Sequence, residues 1–241
     1  MNRMRIDVLT AFPKILNDPL NESILKQAKK RTALRIKVWD LRDFTADKHR
    51  TLDDAPYGGG PGMIMKPEPF FRALETVLGA AEGNKRQVIF PTPQGKLFNQ
   101  EIAEDFSKCE HLIFLCGHYK AVDQRVIDKW VTDEISIGDF VLSGGEIPAL
   151  LMIDAIVRMI PGAISDIESA KTDSFQRDLL DSPYYTRPEN LEGYEVPEVL
   201  LSGNHQKIEE WRLSQKIERT KSLRPDLYKK YLAKQKSSKK S

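Results

Sequence analysis

Cysteine and histidine are scarce in this 241-residue chain, and their scarcity excludes several classes of protein. Cys109 and Cys116 are too few for a disulfide scaffold and too far apart for a CxxC metal site. The four histidines form no HExxH motif, so the residues predict no metal site. No apolar run approaches the ~20 residues of a membrane span, and the charged start MNRMRID lacks a signal-peptide core. We therefore expect a cytoplasmic protein without a membrane partner.

Two common nucleotide-binding motifs are also missing. No GxGxxG follows the first predicted strand, which argues against a Rossmann-type dinucleotide or methyl-donor site. No GxxxxGK[ST] is present to hold a phosphate. A nucleotide-like ligand would have to bind by another route.

The net charge is small, but it is unevenly distributed. The chain has 37 Lys and Arg against 35 Asp and Glu, a net +2, yet residues 205–241 hold 12 basic and 4 acidic side chains. The remainder of the chain is correspondingly acidic. An acidic body with a basic C-terminal end suggests a polyanionic partner. The last eight residues, KQKSSKKS, also fit a solvated tail.

Short β-branched stretches alternate with amphipathic ones over the first two-thirds of the chain. This alternation predicts an α/β fold with a mainly parallel sheet. The longest predicted helix, 146–160, is apolar almost all round, and we expect it to be buried at a domain or subunit interface. The predicted strands are 4–10, 34–40, 87–90, 111–116 and 134–138. Helix caps are predicted at Asn21, Asn99, Asp123 and Asn204, with Pro67 and Pro225 opening two more helices.

The character of the sequence changes after residue 160. Pro161-Gly162 ends the long helix, and the polar stretch 161–176 is predicted to be a flexible linker or lid. Residues 177–241 predict a small, mostly helical second domain with a basic tail. The first domain would then span residues 1–160.

Three predicted strands each end in a loop of small, turn-forming residues. In open α/β sheets ligands bind at the carboxyl ends of strands, where glycines let the backbone approach them closely. Any one of these glycines also fits an ordinary turn, but three loops with the same pattern favour a small-molecule pocket. The glycines are Gly95, Gly117, Gly138, Gly144 and Gly145.

Another glycine-rich stretch, DKHRTLDDAPYGGGPGMIM, occupies residues 47–65. Its composition fits a flexible surface loop. However, Met63-Ile64-Met65 at its end suggests that it returns to the core and is ordered. His49 and Arg50 could then face a phosphate or the edge of a base.

These segments together resemble one family. HRTLDDAPYGGGPGMIM, SIGDFVLSGGEIPAL, IPGAI, DSF, YTRPE, LEGYEVPEVLLSGNH and IEEWR are similar to segments of the bacterial tRNA (guanine-37, N1)-methyltransferases, of the SPOUT class of knotted methyltransferases. The resemblance implies an α/β sheet whose C-terminal part threads a trefoil knot, which ordinary topology rules would have rejected. It also implies S-adenosylmethionine bound in the knot loops, tRNA as partner, and a homodimer with active sites at the subunit interface.

The resemblance further implies roles for individual residues. Asp173 would be the general base, and Arg158 would contact the target guanine. The methyl-donor site would comprise Phe90, Pro91, Thr92, Pro93, Gly95, Gly117, Tyr119, Ser136, Ile137, Gly138, Phe140, Leu142, Gly144, Gly145 and Pro148. Contacts to tRNA would come from His49, Arg50, Asp53, Tyr57, Arg187, Arg212, Lys216 and Arg219.

The implied chemistry explains why these residue types are needed. Guanine N1 carries a proton, and a carboxylate within ~3 Å can accept it as the new bond forms. Negative charge then shifts to guanine O6, where a guanidinium stabilises it. Asp173 and Arg158 are of suitable types, although a helix-capping Asp and a surface Arg are alternative interpretations of the same residues.

One segment departs from the family pattern. The family usually reads CGRYEGxDERV, whereas residues 116–126 read CGHYKAVDQRV, with Lys120-Ala121 in place of Glu-Gly. A carboxylate that could hold a cation is replaced by an ammonium group, so a requirement for Mg²⁺ stays open. An active enzyme is still expected, because the rest of the pocket matches the family.

The predicted function is transfer of a methyl group from S-adenosylmethionine to N1 of guanine 37 of tRNA, next to the anticodon. One alternative is a SPOUT-class methyltransferase that acts on a different RNA position. A second is an RNA-binding module without catalytic activity. A third is a nucleotide-dependent metabolic enzyme, which would be active without RNA.

Overall fold

The computed structural model describes residues 4–79, 85–164, 173–175 and 178–238. The chain forms two compact units, residues 1–167 and 168–241. Of the predicted linker 161–176, residues 165–172 and 176 lie outside the described residues.

The first unit is built on a parallel sheet. In chain order its strands are β1 (Arg5–Thr10), β2 (Arg35–Asp40), β3 (Asp53–Asp54), β4 (Ile64–Met65), β5 (Arg86–Leu97), β6 (His111–Leu115), β7 (Ala121–Val122) and β8 (Asp133–Ser136). Five of them lie side by side in the order β2-β1-β6-β5-β8, all parallel. The short strands β3, β4 and β7 form a separate sheet. The predicted α/β fold with a mainly parallel sheet is confirmed.

Helices cover both faces of this sheet. They are α1 (Lys14–Asn17), α2 (Ser23–Arg31), α3 (Pro67–Gly79), α4 (Gln100–Phe106), α5 (Gln124–Trp130) and α6 (Glu146–Arg158). Two predicted caps are confirmed, because the side chains of Asn99 and Asp123 accept hydrogen bonds from backbone N–H groups of α4 and α5.

The predicted cap at Asn21 is wrong. Asn21 ends a short 3₁₀ turn, and α2 begins two residues later at Ser23. The Asn21 side chain donates to the carbonyl oxygen of Asn17 and accepts from Lys29, both at 2.6 Å. The Asn21 side-chain amide is therefore hydrogen-bonded within the turn and to Lys29 near the C-terminal end of α2, and it does not cap the helix.

Two hydrophobic cores lie on opposite faces of the sheet, because successive side chains of a strand point to opposite sides. In β6, Leu112 and Phe114 join the core made with α1, α2, α4 and α6, while Ile113 and Leu115 join the core made with α3 and α5. All four side chains are fully buried, which explains the continuous apolar run of β6.

Helix α6 packs much of its apolar surface within the first unit. It ends at Arg158, and most of the buried side chains along its length belong to the first of these cores. Ile147 and Leu151, one helical turn apart, remain 52% and 46% exposed. The burial of this helix at a domain or subunit interface, as expected from the sequence, can therefore involve only the face that carries Ile147 and Leu151.

The second unit contains a short hairpin of β9 (Asn190–Leu191) and β10 (Tyr194–Glu195), followed by α7 (Glu198–Leu201), α8 (His205–Leu223) and α9 (Pro225–Ser238). Asn204 caps α8, and Pro225 opens α9, as the sequence predicts. The backbone N–H of Leu180 donates to the hydroxyl of the buried Thr220, at 2.8 Å. Across the described ranges, no helix has the length and apolar character needed to cross a membrane.

Candidate functional site

A cleft of about 470 Å³ lies at the carboxyl ends of β6 and β8 and beside residues 90–94, where β5 is interrupted. These three strands are neighbours in the sheet, with β5 between β6 and β8, so the interruption of β5 meets the loops that follow β6 and β8. The volume falls within the range of ~300–1,000 Å³ typical of small-molecule and cofactor sites. The position is the one at which open α/β sheets bind ligands.

Most residues predicted for a methyl-donor site line this cleft. They are Phe90, Pro91, Thr92, Pro93, Gly117, Tyr119, Ser136, Ile137, Gly138, Phe140, Leu142, Gly144, Gly145 and Pro148. Lys120 and Ala121, the departure from the family pattern, line it too. Further lining residues were not predicted from the sequence, among them Gln94, His118, Gln124, Ile127 and Glu134. Gln94 lies in the interruption of β5 and Glu134 in β8, whereas His118, Gln124 and Ile127 lie in or just after the segment 116–126 that departs from the family pattern.

Gly95 is the predicted donor-site residue that does not line the cleft. It lies in a break in the pairing of β5 with β8, where Pro91 and Lys96 are both opposite Ile135. The four intervening residues form an excursion from the sheet. A Cβ atom on Gly95 would collide with the backbone of Glu134 and Ile135. Gly95 thus allows the excursion to return closely against β8.

The loops after β6 and β8 are held together by backbone contacts. The N–H of Gly145 donates to the carbonyl oxygen of Gly117 at 2.9 Å, and His118 pairs with Gly144 in an isolated β-bridge. A Cβ atom on Gly145 would lie 2.9 Å from Cα of Cys116. The Gly144-Gly145 pair is therefore required for close approach of two chain segments.

A buried carboxylate lies behind this wall of the cleft. Glu146, the first residue of α6, is only 2% exposed. Its Oε1 accepts a hydrogen bond from the hydroxyl of Thr10 at 2.6 Å, and its Oε2 is 3.9 Å from Nε2 of His118. In the sequence, Glu146 could be noticed only as an acidic residue that directly follows a glycine pair and precedes an apolar run.

Cys116 lies beside this carboxylate and is fully buried. Burial raises the pKa of the Cys116 thiol well above its usual value, and the negative charge of Glu146 raises it further. The thiol therefore stays protonated near neutral pH and is unsuited to nucleophilic chemistry.

The two predicted catalytic residues belong to different units. Arg158 ends α6 and is half-buried. Asp173 is half-buried in the short described stretch 173–175, whose neighbour Ser174 accepts a hydrogen bond from the backbone N–H of Asp181 at 3.0 Å. A carboxylate is thus present in a segment anchored within the second unit.

The glycine-rich stretch 47–65 does return to the core. Its end forms β4, and Met65 is fully buried. Asp53, in β3, pairs with Met65. The predicted tRNA contacts His49, Arg50 and Tyr57 are exposed, and the guanidinium of Arg50 bonds to the carboxylate of Asp43.

The tip of this stretch projects from the protein. Tyr57 is fully exposed, and Gly58, Gly59 and Gly60 all have positive φ with open space around them. These glycines are needed for backbone conformation and not for packing.

The remaining predicted tRNA contacts lie in the second unit. Arg187 and Arg219 are exposed, and Arg212 pairs with Glu209 at 2.7 Å. Lys216 instead forms an ion pair with Asp181 at 2.8 Å, with only 21% of its side chain exposed. Lys216 therefore stabilises the unit, and its ammonium group is less accessible than those of its neighbours on α8.

No metal centre is visible in the described part of the chain: residues 4–79, 85–164, 173–175 and 178–238 contain no group of three or more His, Cys, Asp or Glu that could hold an ion.

Known proteins resemble this chain along nearly its whole length. The family model described as "tRNA (Guanine-1)-methyltransferase TrmD" matches residues 4–230. A protein of Clostridioides difficile named tRNA (guanine-N(1)-)-methyltransferase is 49% identical over 94% of this chain and 98% of its own length. Proteins of the same name from Moorella thermoacetica and Staphylococcus carnosus are each 51% identical, over 93% and 95% of this chain and 90% and 92% of their own. The chain therefore belongs to the tRNA (guanine-1)-methyltransferase family.

Proposed function

We propose that this protein transfers a methyl group from S-adenosylmethionine to N1 of guanine 37 of tRNA. The observation that carries the proposal is the cleft formed by the interruption of β5 and the ends of β6 and β8, in a chain that matches the family over residues 4–230. The relatives' shared name supports guanine N1 of a tRNA as the acceptor. A tRNA substrate also fits a cytoplasmic enzyme.

The residues of the cleft fit the methyl donor. Its lining combines apolar and polar side chains with glycines at points where a side chain would collide with the neighbouring loop. Exposed backbone groups of this kind suit the adenine and ribose of S-adenosylmethionine, with Phe90, Ile137 and Leu142 against its apolar parts. When bound, it supplies a methyl group activated by a sulfonium, which leaves with its bonding electrons as a neutral thioether.

The acceptor chemistry falls to Asp173 and Arg158. The Asp173 carboxylate takes the N1 proton, so that the N1 electron pair is free to form the new bond to carbon. The Arg158 guanidinium stabilises the negative charge that develops on guanine O6. The sulfonium already activates the methyl group. Apart from these two roles, the enzyme therefore has only to hold the donor and the acceptor in the right positions.

The second unit and the 47–65 stretch would bind the tRNA. Arg187, Arg212 and Arg219 would neutralise phosphates, and the exposed Tyr57 would contact a nucleotide. The target base must be turned out of its stack to reach the donor. On this assignment residues 1–160 hold the donor, 161–176 link the domains, and 177–241 hold RNA.

The finer architecture is also part of the proposal. We expect a trefoil knot in the C-terminal part of the first unit, a topology supported by β8 lying next to β5 and not next to β6. We expect a homodimer with active sites at the subunit interface. The half-exposed Ile147 and Leu151 of α6, with Val141 85% exposed nearby in the chain, support an apolar contact there.

The decisive experiment is transfer of radiolabelled methyl groups to bulk tRNA, followed by nucleoside analysis. We expect 1-methylguanosine, and we expect none with a transcript that carries adenine at position 37. A labelled product at another position would favour a methyltransferase of different specificity. Activity on small molecules without RNA would overturn the proposal.

Asp173→Ala tests the assigned base. Turnover should fall by roughly 10²–10⁴-fold, the usual contribution of general-base catalysis. The dissociation constant for S-adenosylmethionine should change little, because the residue acts on the acceptor. Glu218→Ala, an exposed carboxylate on α8, is the control. Unchanged turnover of Asp173→Ala would contradict the assignment.

A further inference from the structure

Glu146 is a carboxylate in an unusual place. It is 2% exposed, yet the only hydrogen bond described for its carboxylate comes from Thr10. It also opens helix α6, whose N-terminal end favours a negative charge. Its carboxylate thus lies in a region of low dielectric, with the Thr10 hydroxyl and the N-terminal end of α6 as its favourable neighbours.

This anion lies immediately behind the wall of the cleft. Gly144 lines the cleft, and a Cβ atom on Gly144 would collide with both Oε2 of Glu146 and the ring of His118. A single glycine backbone thus separates the carboxylate from the space that a ligand would occupy. Burial raises the pKa of the neighbouring Cys116 thiol, and the same carboxylate raises it further.

We propose that Glu146 is a specificity-determining residue that makes the cleft prefer the cationic sulfonium of the methyl donor over the neutral thioether product. The inference rests on the function proposed above. Methyl transfer removes the positive charge from sulfur, so the attraction to Glu146 acts on the donor and vanishes for the product. The residue therefore favours donor capture and product release with one fixed charge.

The other charged groups of the cleft are less suited to this task. The charged Asp, Glu, Lys and Arg side chains among the described lining residues are Lys120 and Glu134, which are exposed and half-buried respectively. Water and salt screen them more strongly than a fully buried carboxylate. Lys120 also has the wrong sign to attract a sulfonium.

His118 makes the effect a property of this particular chain. Its imidazole faces Glu146 at 3.9 Å and adds a positive charge only when it is protonated. The family motif has arginine at this position, a permanent cation that would offset the carboxylate. With histidine, this position holds no permanent cation opposite Glu146.

The test compares dissociation constants for three probes at pH 8.5 by calorimetry: S-adenosylmethionine, S-adenosylhomocysteine and sinefungin, whose amine supplies a cation near the sulfonium position. Glu146→Gln keeps the shape and an acceptor for Thr10. We expect it to weaken both cationic probes by roughly tenfold relative to S-adenosylhomocysteine, the order of magnitude of a single charge–charge interaction at the effective dielectric of protein sites.

Two further variants separate charge from structure. His118→Arg restores the family residue and places a fixed cation beside an intact Glu146, so it should also lower the preference for cationic probes. It keeps the proposal testable if Glu146→Gln does not fold. Glu101→Gln removes an exposed carboxylate from the first turn of α4 and should leave all three constants unchanged.

The outcomes are distinct. Equal weakening of all three probes by Glu146→Gln, or an unchanged ratio in both variants, would overturn the inference and leave the proposed methyl transfer standing. Failure of the unaltered protein to bind any of the three probes would instead count against the proposed function itself.

Discussion

At the residue scale, Asp7 shows how a polar group is accommodated inside the sheet. It is fully buried on β1, where its carboxylate accepts hydrogen bonds from Nε2 of His111 at 2.6 Å, Nε1 of Trp39 at 2.7 Å and Nε of Arg5 at 2.6 Å. Burial alone would raise the pKa of Asp7, but these donors outweigh it and lower the pKa. Arg5 is a local partner, but Trp39 and His111 are 32 and 104 residues away in sequence, so no local pattern could have predicted the network.

This network predicts a pH dependence of stability. Because the folded state lowers the pKa of Asp7, its contribution to stability is complete above the unfolded value of about 3.9. It is lost as the pH falls through the lower folded value. Asp7→Asn should cost about 2–3 kcal/mol at pH 7, since His111 and Trp39 lose a charged acceptor. It should also flatten the acid limb of the stability curve.

Urea unfolding at pH 7 and pH 3 checks both statements. Asp105→Asn, which changes an exposed carboxylate on α4, is the control and should behave like the unaltered protein. The quantity to compare is the loss of unfolding free energy between pH 7 and pH 3. If this loss were the same for Asp7→Asn and for the unaltered protein, the lowered pKa of Asp7 would contribute nothing to acid unfolding.

At the element scale, β5 differs most from its prediction. The β-branched run predicts a strand over 87–90, whereas β5 extends over Arg86–Leu97 with a four-residue excursion. Proline and glycine in this segment predict a loop when only the local sequence is considered. Pairing with β8 recovers the strand beyond the excursion, and that partner is known only from the tertiary structure.

The excursion predicts the effect of Gly95→Ala. The added Cβ would collide with the backbone of Glu134 and Ile135, so the excursion or β8 must shift. We expect a loss of about 1–3 kcal/mol in unfolding free energy, as for other overpacked sites. We also expect weaker donor binding, because Thr92 and Pro93 line the cleft.

The control is Gly79→Ala, at the end of α3 with open space around it, which should be neutral or slightly stabilising. Equal effects of the two substitutions in urea unfolding would contradict the packing explanation.

At the scale of the whole molecule, the basic end of the chain becomes a helical surface. Residues 205–241 carry the excess positive charge, and α8 and α9 arrange most of it on two helices. Not every cation there is available to RNA, because Lys216 is paired with Asp181. The charge count from sequence therefore overstates the number of accessible phosphate contacts.

Removing accessible charges should weaken tRNA binding in a salt-dependent way. In the double variant Arg219→Gln/Lys221→Gln, the slope of log affinity against log salt should fall by about 1 for each phosphate that the protein no longer neutralises. S-adenosylmethionine binding should not change. Lys14→Gln/Lys26→Gln, two exposed lysines of the first unit, is the matched control. An unchanged slope for the α8 variant, measured by filter binding across a salt series, would show that these residues do not contact phosphates.

The sequence by itself determined the alternation of strands and helices, three of the four predicted side-chain caps, the convergence of glycine loops and the family. These properties depend on local periodicity, on capping groups next to their helices and on motifs that can be read directly along the chain. The tertiary structure alone decided that Gly95 packs against β8 and not in the cleft, that Asn21 caps no helix, that Lys216 is paired, and that Glu146 lies buried behind Gly144. Gly95, Lys216 and Glu146 depend on partners distant in sequence, and Asn21 on the way the chain enters α2, so all four are settled only when the chain is folded.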